Sequence, residues 1–129
     1  MTLMAGPIDT RIQPTKVNEL AKGKPIKWFE ENMIATVPSR YAGAGRRVYP
    51  GFVQLTAFMS MNMDRHLKAH RELHENIAKG NIEKAEQTKA FYDEYFAVLD
   101  LTAEFYLETV RYVFQEHRLA TGALEWEGE

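Results

Sequence analysis

A long stretch without glycine or proline, from Ile82 to Leu119, is the feature that most constrains the fold of this chain. As one continuous helix it would extend roughly 55 Å at about 1.5 Å per residue, too long for a compact domain of this size. We therefore predict a break between Asp100 and Thr102, where either residue can cap a new helix. Apolar stripes at helical spacing flank the break. They consist of Phe91, Tyr95, Phe96 and Leu99 before it and of Phe105, Tyr106, Val110, Val113 and Phe114 after it.

Start and stop signals predict further helices ahead of this stretch, so the predicted fold class is mainly α. These helices are Thr15 to Lys22, one that opens at Pro25 and stops before Pro38, Gly51 to about Met61, and one that is capped by Asn62 or Asp64 and continues to Lys79. Residues 39–47, SRYAGAGRR, contain two glycines and predict a loop.

One short strand is predicted at the N-terminus. Residues 2–8 form an apolar run that ends at Gly6-Pro7, a pattern consistent with a buried strand. A single strand cannot form a sheet, so its neighbours would lie outside this chain. We therefore divide the chain into a core strand and turn of a parent sheet, residues 1–12, and one helical region, residues 13–129.

The composition argues against several classes of protein. The formal net charge is −2, with sixteen basic and eighteen acidic residues, and this balance gives no electrostatic case for nucleic acid. The absence of cysteine excludes disulfides and fits a reducing compartment. Neither serine, Ser39 or Ser60, stands between glycines, so there is no nucleophile elbow. The residues do not predict a self-sufficient hydrolase.

The N-terminal residues predict no signal peptide, because they lack a charged segment and have too short an apolar run. No run approaches the roughly 18 apolar residues that a membrane span needs. The expectation is a soluble protein of the cytoplasm.

Aromatic residues and methionines are concentrated between Phe52 and Met63. Methionine fills irregular gaps in protein cores, and it also lines adaptable binding surfaces. Core packing is the safer interpretation for each residue alone. A short helical chain offers little area to cover them all, however, and an exposed remainder would be an interface.

His66, His70 and His74 recur every four residues on one predicted helix. That spacing can present two imidazoles to a metal ion. Two of the three histidines fall within the apolar stripe of the helix, and no further ligand motif accompanies them. We therefore predict no metal site, with these histidines as weak candidates.

Two further groups carry potential chemistry. Asp9 follows the predicted strand, where α/β enzymes place catalytic acids, although a turn or cap role is the stronger interpretation. Residues 92–95, YDEY, offer acids and hydroxyls, but neighbours on a helix point in different directions. No acid and base pair can be assigned there.

Long blocks of the sequence resemble one protein family. They are GPIDTR at 6–11, WFEENMIATVP at 28–38, GRRVYPGFVQLTAFMSMNMDRHLKAH at 45–70 and FYDEYFAVLDLTAEFYLETV at 91–110. The chain is similar, nearly end to end, to the intracellular polyhydroxyalkanoate (polyhydroxybutyrate) depolymerases. These blocks are far more specific than a short motif.

The resemblance implies an α/β-hydrolase with a Ser or Cys nucleophile, an Asp and a His that cleaves polyester without a metal or cofactor. The nucleophile is expected before Met1 and the acid and the His after Glu129, so no catalytic residue is assigned here. Asp9, His66, His70 and His117 should not be placed in those roles. The chain would be a helical cap or insertion of the larger hydrolase, inactive alone.

The expected partners are a polyhydroxyalkanoate chain or granule surface and the rest of the hydrolase domain. Self-association is a further expectation, because the face meant for the parent sheet would be uncovered. The candidate substrate contacts are Tyr49, Phe52, Phe58, Met59 and Met61.

Two other functions remain open from the residues. One is a non-enzymatic helical module that binds granules or a partner through its methionine and aromatic surface. The other is a small helical metalloprotein that uses His66, His70 and His74.

Overall fold

The computed structural model describes residues 6–125 and 127–128 and confirms the mainly helical prediction. The helices are α1 (Lys16–Gly23), α2 (Ile26–Met33), α3 (Gly51–Met61), α4 (Met63–Ala78), α5 (Ile82–Phe96), α6 (Ala103–Thr109), a π-helix (Val110–Gln115) and α7 (Arg118–Thr121). The strands are β1 (Ala35–Thr36), β2 (Arg47–Tyr49) and β3 (Leu101–Thr102).

The three strands form a small antiparallel sheet that the sequence analysis did not predict. The strand order is β1-β2-β3, with Ala35 opposite Val48 and Tyr49 opposite Leu101. Strands this short lack the four or more residues over which an alternating pattern can be recognised. Of the strand predicted at 2–8, residues 2–5 lie outside the described residues, and residues 6–8 are irregular.

The chain consists of two compact units. The terminal unit comprises Met1–Pro50 and Leu101–Glu129, and the insertion comprises Gly51–Asp100. The insertion contains α3, α4 and α5, and it lies in sequence between the paired strands β2 and β3. The sequence-based division between residues 1–12 and 13–129 depends on a parent sheet outside this chain, so it stays a prediction.

The core of the terminal unit forms where α1, α2, α6 and the π-helix pack together. Ala21, Phe29 and Val110 are buried at its centre, and six partly buried apolar residues surround them. The side-chain amide of Gln115 donates to the carbonyl oxygens of Ala21 and Lys24, at 2.9 and 2.8 Å. It thereby satisfies acceptors that the end of α1 leaves open.

The predicted helix break is confirmed, and of the two candidate caps Thr102 begins the new helix, whereas Asp100 binds the first residue of α3. Within the insertion, Asp100 Oδ1 accepts the backbone N–H of Gly51 at 2.7 Å. Within the terminal unit, Thr102 Oγ1 accepts the N–H of Phe105 at 3.3 Å and caps α6. Beyond α6 the helix does not continue to Leu119 as one α-helix, because it widens into the π-helix and then turns at His117, whose φ is 51°.

Among the described residues, none of the helices combines the length and the apolar character needed to cross a membrane.

Gly51 lies where the two ends of the insertion meet, and a side chain there would collide with the backbone. A Cβ on Gly51 would stand 2.5 Å from the carbonyl oxygen of Val98. We expect Gly51→Ala to lower the free energy of unfolding by about 1–3 kcal/mol, the usual cost of forcing extra volume into a packed site. Urea denaturation measures this change.

The matched control is Gly23→Ala, because apart from its chain neighbours and the backbone of its own helix, no described atom lies within 4 Å of a Cβ built at Gly23. Gly23 lies in a helix, where alanine is favoured over glycine. The free energy of unfolding of the Gly23→Ala variant should therefore equal that of the parent chain or exceed it by up to about 1 kcal/mol. Equal stability of the two variants would contradict the close contact at Gly51.

Candidate functional site

Tyr49, the first candidate substrate contact, is buried in the terminal unit. Its ring stacks on that of Tyr106 with centroids 3.9 Å apart and planes 11° apart. Burial raises the pKa of both phenols, and in Tyr106 the neighbouring Tyr49 raises it further. The pair therefore stays neutral in the folded chain, and Tyr49 has the packing of a core residue.

The other four candidates lie on α3 in the insertion, and three of them are exposed. Phe52 is 75% exposed, and Phe58 and Met61 are 42% and 43% exposed. Met59 is partly buried. A helix that is apolar on every side usually lies in a core or against another surface. In α3, however, the buried residue is Gly51, and the large apolar side chains are not buried. Substrate contact stays a prediction for all five candidates.

His66, one of the weak metal candidates, is buried on α4 and faces α5. Its Nδ1 lies 3.0 Å from the hydroxyl oxygen of Tyr92, and its Nε2 lies 3.5 Å from that of Tyr95. The expectation that residues 92–95 point in different directions was wrong for these two tyrosines. They are three residues apart, so they share one face of α5.

The other two histidines do not join His66 in a metal site. The Nδ1–H of His70 donates to the carbonyl oxygen of His66 at 3.0 Å, and the ring packs on Tyr92 with centroids 4.3 Å apart. His74 is exposed on α4. Within residues 6–125 and 127–128, no three His, Cys, Asp or Glu side chains are grouped to hold a metal ion.

A cleft of about 470 Å³ lies between α4 and α5, next to His66. This volume is within the range of small-molecule sites. Its lining residues from α4 and the turn before it are Asn62, Arg65, His66 and Ala69, and those from α5 are Gln87, Thr88, Phe91, Tyr92 and Tyr95. One face of α4 and one face of α5 therefore supply a polar and aromatic site.

Arg65, Gln87 and Thr88 were not predicted from the sequence as members of a site. Their signal is positional: residues 62, 65, 66 and 69 share a helix face, as do 87, 88, 91, 92 and 95. That signal becomes specific only once α4 and α5 are known to pack against each other.

Asp9 has a turn role in the terminal unit. Its carboxylate accepts the backbone N–H of Arg11 at 3.0 Å and pairs with the guanidinium at 2.6 Å. These hydrogen bonds lower the pKa of Asp9 to about 2. The next residue, Thr10, is buried; its hydroxyl donates to the Val113 carbonyl oxygen at 3.3 Å and lies 3.2 Å from His117 Nδ1.

The contact between Tyr92 and His66 predicts that removal of the Tyr92 hydroxyl lowers the stability of the fold. Tyr92→Phe leaves a buried ring nitrogen without its partner, so we expect the free energy of unfolding to fall by about 1–2 kcal/mol. Tyr95→Phe is the matched control and should cost less, because its contact is longer and the residue is only partly buried. Equal losses in urea denaturation would contradict this ranking.

The stacked tyrosines predict loss of stability at alkaline pH. The folded-state pKa of Tyr49 and Tyr106 lies above the ordinary value of 10.0. Their contribution is therefore fully present below pH 10.0 and is lost as the pH rises through the folded-state pKa values. We expect these two tyrosines to ionise only as the helical circular dichroism signal disappears.

Tyrosinate absorbance and circular dichroism, followed together from neutral to alkaline pH, check this expectation. Tyr106→Phe should remove one of the late-ionising groups from the absorbance curve. Ionisation of all six tyrosines while the helical signal persists would contradict the expected coupling.

Comparison with known proteins places the chain in a family. Neither a curated protein nor a solved structure matches it. A family model described as "PHB de-polymerase C-terminus" matches residues 5–129, which takes in the insertion and most of the terminal unit. The match confirms the resemblance found in the long sequence blocks. The chain therefore belongs to the PHB de-polymerase C-terminus family.

Proposed function

We propose that this chain is the helical cap of an intracellular polyhydroxyalkanoate depolymerase, an enzyme that hydrolyses the ester bonds of poly(3-hydroxybutyrate). The observation that carries the proposal is an apolar helix with exposed aromatic and methionine side chains in a chain of this family. The enzyme would act in the cytoplasm, at the surface of polyester granules.

The catalytic residues would be supplied by another part of the enzyme. The chain has no cysteine. The hydroxyl of Ser60 donates to the carbonyl oxygen of Ala57 at 2.7 Å, and Ser39 lies in an exposed turn. A serine nucleophile needs a histidine base at hydrogen-bond distance, and no such pair occurs among the hydrogen bonds of the described residues.

Helix α3 would line the path by which the polyester reaches the catalytic residues. Poly(3-hydroxybutyrate) is largely apolar with regularly spaced ester carbonyls, and aromatic and methionine side chains suit such a chain. Phe52, Phe58, Met59 and Met61 would contact it, while Tyr49 packs in the terminal unit. A covered path also excludes water, which strengthens the electrostatic stabilisation of the reacting ester.

Removing the exposed aromatic rings in the complete enzyme tests the cap role. We expect Phe52→Ala and Phe58→Ala each to raise KM for amorphous polyester about 10-fold. This factor corresponds to the binding free energy lost when one aromatic ring is no longer buried against the substrate. The value of kcat on a short soluble ester should not change, because neither ring takes part in the chemistry. Initial-rate kinetics on both substrates measure the two effects.

Phe105→Ala is the matched control, since Phe105 is 59% exposed but lies on α6 of the terminal unit. Its KM for polyester should equal that of the parent enzyme. An unchanged KM in the α3 variants together with lower stability would show that Phe52 and Phe58 only pack, and the proposal would be wrong.

A further inference from the structure

We propose that the cleft between α4 and α5 binds the carboxylate end of a short 3-hydroxyacyl chain. The choice of acid rests on the proposed function, whereas preference for an anion with an apolar body rests on the cleft itself. The cleft would be a product or chain-end site, separate from the apolar surface of α3.

The charges around the cleft favour an anion. Arg65 contributes a cation, and the nine lining residues include no Asp or Glu. In the part of the chain that the structure describes, Arg65 takes part in none of the ion pairs. An arginine fork can bind a carboxylate through two parallel hydrogen bonds. The guanidinium of Arg65 is therefore available to a ligand.

The hydrogen bonds at His66 leave one tyrosine hydroxyl proton free for a ligand. An imidazole ring accepts through at most one of its two nitrogens, because the other carries a proton. At most one of the two hydroxyls, that of Tyr92 or that of Tyr95, therefore donates to His66, and the other keeps its own proton. Both tyrosines line the cleft, so one O–H is left to donate to a bound acceptor.

The remaining walls suit the body of a hydroxyacyl chain. The rings of Phe91 and Tyr95 stack with centroids 5.7 Å apart and form an aromatic wall. Ala69 keeps the opposite wall small. The hydroxyl of Thr88 donates to the carbonyl oxygen of Lys84 at 3.1 Å, so its oxygen can accept from the ligand's hydroxyl group. Asn62 and Gln87 add amide donors for ester carbonyls.

Ester hydrolysis generates the proposed ligand at every turnover. The oxygen of water bonds to the acyl carbon, the bond from that carbon to the alkoxy oxygen breaks, and a proton passes to the alkoxy oxygen. The products are one carboxylic acid, ionised at neutral pH, and one hydroxyl end. The interior of the polymer carries no charge. A cationic cleft would therefore bind the charged chain ends in preference to the interior.

Calorimetric titration of the full chain with the (R)-3-hydroxybutyrate trimer acid and with its methyl ester tests the proposal. We expect the acid to bind about 10-fold more tightly than the ester, the usual value of a hydrogen bond to a charged group. Arg65→Gln should remove that difference. Arg71→Gln, the same change on α4 away from the cleft, should leave it intact.

A second variant fills the space without changing the charge. Ala69→Leu should weaken binding of both the acid and the ester, whereas Ala90→Leu, at an exposed position of α5 outside the cleft, should weaken neither. Equal binding of acid and ester by the parent chain, or an unchanged affinity in Arg65→Gln, would overturn the proposal. So would the absence of trimer binding.

Experiments on the complete enzyme test this site independently of the proposed cap role of α3. Arg65→Gln should weaken inhibition by the trimer acid about 10-fold. A loss of granule co-sedimentation in the same variant would identify polymer chain ends as the ligand, and unchanged co-sedimentation would identify the soluble acid. Inhibition equal to that of the parent enzyme would overturn the site even if the α3 variants behave as proposed.

Discussion

The hydrogen bond between the Gly51 N–H and the Asp100 carboxylate closes the insertion at its base. The contact requires glycine, because a Cβ would meet the Val98 carbonyl oxygen. It holds the first residue of α3 beside the segment that follows α5. Strands β2 and β3, which flank the insertion in sequence, pair within the terminal unit. The first and last residues of the insertion are thus joined to each other by a short and specific contact.

Two surfaces of different chemistry follow from this arrangement. Helix α3 carries exposed aromatic and methionine side chains, which under the proposed function would contact an uncharged polyester. The α4 and α5 pair instead forms an open cleft with a single arginine, several other polar side chains and an aromatic wall. The insertion thus carries an exposed apolar helix and, on another pair of helices, a cleft with one arginine.

The sequence predicted the helices well and the site poorly. Pro25 and Gly80 mark helix ends through their own backbone preferences, with Gly80 at a φ of 73°. Helix length alone required the break at Asp100 to Thr102. The short strands escaped prediction because two or three residues show no alternation. The histidines were recognised as a group, but the side chains that bind the His66 ring, Tyr92 and Tyr95, lie on another helix, 26 and 29 residues away.

The sequence by itself determined the family and the mainly helical class, because long similar blocks and local helix signals need no knowledge of packing. Only the tertiary structure decided that Tyr49 is buried, that Phe52 is exposed and that His66 lies between two tyrosines. Periodicity places a residue on a face of its helix, but it does not say what covers that face. Burial and side-chain pairing depend on which helices meet, and the contacts between distant parts of the chain fix that choice.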